Sequence, residues 1–200
     1  MGTVVDPHDE PSTNDIAQGF AIVDLETTGL RPTDSILQMA VVLQDFDGTI
    51  TSQWSSYVRP RRVLTADLGP RHIHGITRRH VILAPTLRSA MRRLVSLTSN
   101  RVVVAHNAPF DTRFLRSAAE LVGIPLPWTG VMCTLDLSRR LDPGRRRNHR
   151  LTTLCEDYGI SLDHAHDALH DARATAELLP HLLRENAISN FSEARPFYLE

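Results

Sequence analysis

Apolar and polar positions follow two different periods along this chain, and the period sets the kind of element each stretch can form. Phe20 to Glu26 reads FAIVDLE, apolar except for two acids, and Thr27, Thr28 and Gly29 close it; this is the pattern of a central strand ending in a turn. The runs SILQMAVVLQDF and TITSQWSSYVRP flank Asp47-Gly48, which predicts a hairpin because that pair favours the tight turn between β-rich segments. Residues 60–83 carry Gly69-Pro70 and Gly75 and predict only loop and short helical turns. Pro85 opens a helix whose Leu87, Met91, Leu94 and Val95 recur at i, i+4, i+7 and i+8. RVVVAH, from Arg101 to His106, is a second buried strand. It feeds a helix whose core stripe is Phe110, Phe114, Ala118 and Leu121. A third apolar run, Val131 to Cys133, leads into an amphipathic stretch ending near Leu141. The last two helices cover Leu151 to Tyr158 and Ala168 to Leu183, and Pro180 is expected to kink or restart the second.

A hairpin followed by strands alternating with helices implies one α/β domain with a mixed central sheet flanked by helices. The boundaries read as a flexible polar arm over 1–18, the domain over 19–185 and a C-terminal tail over 186–200.

Composition narrows the chemistry. The chain has 200 residues, 42% hydrophobic, enough for one sizeable core. All 22 basic side chains are arginine, so a lysine Schiff base and a P-loop lysine are excluded. A net charge of −1 argues against a protein that coats long duplex nucleic acid by charge alone, yet leaves room for an enzyme that handles ends. Cys133 and Cys155 are the only cysteines and lack a CxxC spacing, so neither a disulfide framework nor a structural zinc site is signalled; a cytoplasmic setting follows most simply. No apolar run approaches the roughly 20 residues that span a bilayer, and the first residues lack a signal-peptide core.

Four acids stand where a fold tolerates them poorly. Asp24 and Glu26 are two apart in an apolar strand, which puts both carboxylates on one face. A strand end where both reach water is the bland alternative. Asp111 falls in the first turn of the helix after the second strand, where ligands gather in open α/β sheets; a favourable charge at a helix N-terminus explains it equally. Asp171 sits among Ala172, Ala174 and Ala176, small residues that let its helix approach the sheet closely. His166 shares a site with Asp171 only if it lies on the loop entering that helix, and otherwise is an exposed loop histidine. The HxxxH spacing of His166 and His170 lacks the glutamate and third ligand of a zinc site, and His72 with His74 reads as loop polarity before metal binding.

VDLETTGL (Val23 to Leu30), AHNAPFDTRFL (Ala105 to Leu115) and HDALHDA (His166 to Ala172) together resemble the three exonuclease motifs of the DEDD superfamily, in its histidine-containing branch. The resemblance covers about Phe20 to Leu183. The segment PGRRRNHRLTTLCEDYGI is particularly similar to the epsilon-type proofreading subunits of bacterial DNA polymerase III and their stand-alone relatives. The resemblance implies a ribonuclease H-like fold, with Asp24, Glu26, Asp111 and Asp171 holding two Mg²⁺ or Mn²⁺ ions and His166 acting as general base. An all-oxygen donor set suits those ions independently.

The activity so implied is 3′→5′ hydrolysis of single-stranded or frayed DNA ends, of proofreading or repair type, releasing nucleoside 5′-monophosphates. An exoribonuclease trimming RNA is the alternative, and a non-catalytic interaction subunit is more remote. By the same resemblance, Thr27, Thr28, Gly29 and Leu30 line the terminal nucleotide. Asn107 either bonds substrate or caps the next helix, and Phe110 touches the sugar or belongs to the core. Arg145, Arg146, Arg147 and Arg150 either contact phosphates or form a solvated loop. Association with a polymerase is implied by the family, although ENAISNFSEARPFYLE leaves little room for a tether and shows no sliding-clamp peptide. A stand-alone enzyme and a domain of a longer protein both fit.

Overall fold

β-Branched and aromatic side chains on both faces make Phe20–Thr27 (β1) a strand that must be covered on each side. In the computed structural model, which describes residues 17–31, 33–162 and 167–199, β1 is central in a five-stranded sheet. Ile36–Gln44 (β2) and Ile50–Tyr57 (β3) form the expected hairpin on one side; Val102–Ala105 (β4) and Gly130–Cys133 (β5) lie on the other. The order is β3-β2-β1-β4-β5. β2 runs antiparallel to both neighbours, whereas β1, β4 and β5 are parallel, which is the mixed sheet of the ribonuclease H-like exonuclease fold.

Parity along β1 assigns its two faces. Ala21, Val23 and Leu25 pack with Met91 and Leu94 of helix Leu87–Thr98 (α3) and with Phe114 and Leu115 of Ala108–Val122 (α4). Phe20 and Ile22 face the other way, toward Ala172, Ala176 and Leu179 of Ala168–Glu185, with Leu154 of Leu151–Tyr158 beside them. Short helices at Arg71–His74 and Arg78–Val81 occupy the stretch expected to hold loop and short helical turns, and Thr134–Arg140 follows β5 directly. In chain order the helices are α1 (71–74), α2 (78–81), α3, α4, α5 (134–140), α6 (151–158), α7 (168–185) and α8, Phe191–Ala194.

Five expectations are corrected. Pro85 does not open α3: Thr86 is its N-cap, accepting the Ser89 N–H, while the Pro85 carbonyl accepts the Arg59 N–H. Leu121 is not core but 74% exposed; the buried stripe of α4 runs through Phe114, Leu115, Ala118, Ala119 and Val122 instead. Residues 186–199 are not a loose tail. Phe191 packs its ring 5.0 Å from those of Phe20 and Phe46, and the Leu199 N–H bonds the Val131 carbonyl at 2.7 Å beside an antiparallel bridge between Tyr198 and Met132. Ala17 and Gln18, placed by sequence in the arm, also belong to the body, with the Gln18 N–H on the Asn100 carbonyl.

The fifth correction concerns Pro180, which does not restart α7: the helix runs on from Ala168 to Glu185 with the proline inside it. A proline at 180 leaves the carbonyl of residue 176 without its helical N–H partner. Gln44, 1% exposed at the end of β2, donates its side-chain amide to the Ala176 oxygen at 2.8 Å, and to the Gly48 oxygen at 3.0 Å. The orphaned acceptor is thereby satisfied from a neighbouring element, and α7 stays continuous. Replacing Gln44 by Leu strands that carbonyl in the core, and we expect a loss of about 1–3 kcal/mol in urea unfolding. A loss below about 0.5 kcal/mol would show the bond to be dispensable.

Candidate active site

The even parity that faces α7 includes Asp24 and Glu26, so the strand aims two carboxylates at the start of that helix. Asp171 lies one turn into α7, and carboxylate oxygens of Asp24, Glu26 and Asp171 lie within 4.8 Å of one another. Asp111 approaches from the opposite layer. β1 pairs with β4 only through Ile22, and past that point the Asp111 carboxylate, almost fully buried on α4, takes a hydrogen bond from the Leu25 backbone.

α7 is pinned at this position by two glutamines of β2, which share the parity of the α7 face. Gln44 holds Ala176, as described above. Gln38, the cross-strand partner of Glu26, donates to Asp167 Oδ2 at 3.2 Å and to Ser55 Oγ at 3.2 Å. Asp167 in turn caps α7, accepting the N–H groups of Leu169 and His170 at 3.0 and 3.4 Å. Sequence reasoning passed over Gln38 and Asp167. The signal present was a glutamine interrupting an apolar strand and an aspartate immediately before a helix.

Charge in the cluster is poorly compensated. Burial, then the charges of Asp111, Asp171 and Glu26, push the Asp24 carboxyl well above its ordinary range. Glu26 is pushed to about 8 by burial and by Asp171, Asp167 and Asp111. Burial also lifts Asp111 to about 8, against the hydrogen bonds of its own and the Leu25 backbone. Asp167 contrasts: burial raises it, but donors from Gln38, His170 and the α7 amides outweigh burial and hold it below the usual range. Neither Asp24 nor Glu26 has an ion-pair partner among the described residues. Hard oxygen donors crowded at one point suit a divalent metal ion.

The other sequence candidates fall around this cluster. His166 lies outside the described residues. The Thr27 hydroxyl donates to the Gly29 carbonyl at 2.6 Å, and Thr28 Oγ1 accepts the Ser35 N–H at 2.9 Å, which fixes the turn after β1. Gly69, in the left-handed region at φ +71°, backs onto the Thr28 carbonyl so closely that any Cβ would collide with it. Leu30 is 76% exposed, and its carbonyl accepts from Arg113 Nη2 at 2.8 Å, tying the turn to the helix that carries Asp111. Phe110 is partly buried against the core, its ring 5.0 Å from Phe114. Asn107 is exposed in the left-handed region at φ 68° and its side chain makes no capping bond, so capping does not account for it. Arg145, Arg147 and Arg150 line a cleft beside Asn107, and Arg146 is not among its lining residues. His74 has both ring nitrogens engaged, with the Leu68 carbonyl and the Ile76 N–H at 3.0 Å each, which leaves none for a metal.

No helix among the described residues is long and apolar enough to cross a membrane. Residues 21–179 match the family model RNase_T, described as exonuclease. DNA polymerase III of the PolC type from Oceanobacillus iheyensis is 35% identical over 193 residues, 93% of this chain, and its Bacillus subtilis counterpart 35% over 170 residues, 84% of this chain. The chain spans only 13% and 12% of those polymerases, and 32% of a Mycobacterium tuberculosis relative that it matches at 31% identity. Among solved structures, Exonuclease X in complex with 5′ overhanging duplex DNA superposes with a TM-score of 0.68 at 28% identity, covering 88% of this chain and 98% of that one.

Proposed function

Because the chain belongs to the RNase_T exonuclease family, we propose that it is a metal-dependent 3′→5′ exonuclease acting on single-stranded or frayed DNA ends, of proofreading or repair type. The observation that carries this reading is the convergence of Asp24, Glu26 and Asp171 within 4.8 Å, with Asp111 electrostatically coupled to Asp24 and Glu26. The PolC-type relatives, whose matching segment lies inside a polymerase, and the DNA complex of Exonuclease X favour DNA and a link to polymerase.

The donor set fits two Mg²⁺ or Mn²⁺ ions held by Asp24, Glu26, Asp111 and Asp171. When bound, such ions neutralise charge on the scissile phosphate and lower the pKa of water beside it. Asp24, whose carboxyl feels the charges of Asp111, Asp171 and Glu26, would be shared between the ions. His166, five residues before Asp171 in the sequence, takes the proton of the attacking water. The turn from Thr27 to Leu30 seats the terminal nucleotide, with the exposed Leu30 side chain beside its base and Asn107 bonding from the opposite side. Release of a nucleoside 5′-monophosphate then leaves a shortened strand with a new 3′ hydroxyl.

The test is degradation of matched 5′-labelled DNA and RNA strands in Mg²⁺, Mn²⁺ and EDTA. We expect a metal-dependent ladder shortening from the 3′ end of DNA, slower on RNA, and a fall of about 10²–10⁴ in turnover for His166→Ala. A ladder on RNA alone would reassign the substrate. Absence of cleavage despite measured metal binding would overturn the enzymatic reading.

A further inference from the structure

The arginines that follow Pro143-Gly144 are gathered by a buried relay. Ser138 Oγ on α5 lies 2.8 Å from His149 Nδ1. His149 Nε2 lies 3.3 Å from Asp142 Oδ2, an ion-pair distance at an angle short of a hydrogen bond. Asp142 Oδ2 also accepts the Arg147 N–H at 2.9 Å, and Asn148 Oδ1 accepts the Arg150 N–H at 3.0 Å. Ser138 and His149 are both buried, so the loop is fastened to α5 from within.

The loop thereby closes one wall of a cleft of about 630 Å³, lined by Arg139, Arg145, Arg147 and Arg150, with His106 and Asn107 opposite. No acid lines it. Burial lowers the His106 pKa to about 4, so that ring is neutral near pH 7. Arg139 and Arg147 share their charge with Asp136 and Asp157 at 3.6 Å. Arg145 and Arg150 have no ion pair among the described residues. Asn107 stands about one helical turn before Asp111, which places the cleft next to the carboxylate cluster without overlapping it.

We propose that this cleft is a phosphate subsite that grips internal phosphodiester groups of the substrate strand, on the 5′ side of the bond being cut, through Arg145 and Arg150. The proposal rests on the exonuclease reading above. A strand approaching four carboxylates needs a cationic wall beside them, and the planar guanidinium fork matches phosphate oxygens without reading bases. Several guanidinium groups in one cleft suit a polyanion better than a single product phosphate.

The decisive variant is Arg145→Met with Arg150→Met, two exposed loop positions where the apolar stem is kept; Arg92→Met with Arg93→Met on α3 makes the same charge change elsewhere. We expect the ratio of kcat/KM for a ten-nucleotide DNA strand to that for a dinucleotide to fall about tenfold relative to wild type. The slope of log kcat/KM against log salt should become shallower by about 1.4, two contacts at roughly 0.7 each. An unchanged ratio and slope in an active enzyme would overturn the proposal. Weaker inhibition by nucleoside 5′-monophosphate, with the length ratio unmoved, would assign the cleft to the product and equally overturn it. A wild-type protein without metal-dependent shortening would instead count against the exonuclease reading itself.

Discussion

Asp24→Asn is expected to abolish turnover while making the metal-free protein more stable. Asp24 carries the burden of burial together with repulsion from four other acids, so its ionised form is unfavourable in the folded chain. An amide of the same shape removes that repulsion and keeps the strand packing. We expect the melting temperature in EDTA to rise by about 2–4 °C for each kcal/mol so relieved. The same change removes a proposed metal ligand, and turnover should fall at least about a thousandfold, some 4 kcal/mol of transition-state stabilisation. The two readouts separate a site tuned for cations from an ordinary structural aspartate, whose replacement lowers stability. A melting temperature that drops in EDTA would refute this account of the cluster.

The second large effect is a pH dependence that metal reverses. Glu26 and Asp111 titrate near 8 in the folded chain, and Asp24 is also raised, whereas in the unfolded chain such groups titrate near about 4. Between those values the folded state binds more protons than the unfolded state. Stability is therefore fullest below about pH 4 as far as these groups are concerned, and is lost as pH rises toward 8. The limit is about 1.4 kcal/mol per group per pH unit, less for groups that share their protons. In EDTA the melting temperature should decline from pH 5 to pH 8. With millimolar Mg²⁺ or Mn²⁺ the decline should flatten, because ions displace the shared protons, so the stabilisation by metal grows with pH. A thermal-shift series in both conditions checks this, and a flat EDTA curve, or metal stabilisation equal at both ends of the range, would contradict it.

Much of the arrangement can be read from local pattern. Alternation in FAIVDLE places Asp24 and Glu26 on one face, and the small residues around Asp171 mark where α7 can meet that face; both inferences need only the period of a strand or a helix. What escaped were properties set by register between distant segments. Gln38 and Asp167 are 129 residues apart, and nothing near either one announces their bond. The continuity of α7 through Pro180 escaped for the same reason, since the donor that satisfies its helix comes from β2. Leu121 failed differently: the core stripe of α4 passes through Ala118 and Val122 to the end of the helix, which turns position 121 to solvent. His149 reads locally as one more polar residue in an arginine loop, and only the fold shows it buried between Ser138 and Asp142.

The two margins of the sheet carry a further consequence. β3 ends the sheet on one side with ITSQWSSY, whose hydroxyl and amide side chains make poor material for pairing with another molecule. β5 ends it on the other side with GVMC, apolar and nearly buried, and there the segment around Tyr198 and Leu199 lies along the strand, with the Tyr198 ring against Gly130 where any larger residue would displace it. The last residues of the domain therefore act as a sacrificial neighbour strand: they occupy hydrogen-bonding positions that would otherwise invite a second chain. Loss of this segment, by proteolysis or by truncation, would convert a quiet edge into a template for aggregation while leaving every carboxylate of the site in place.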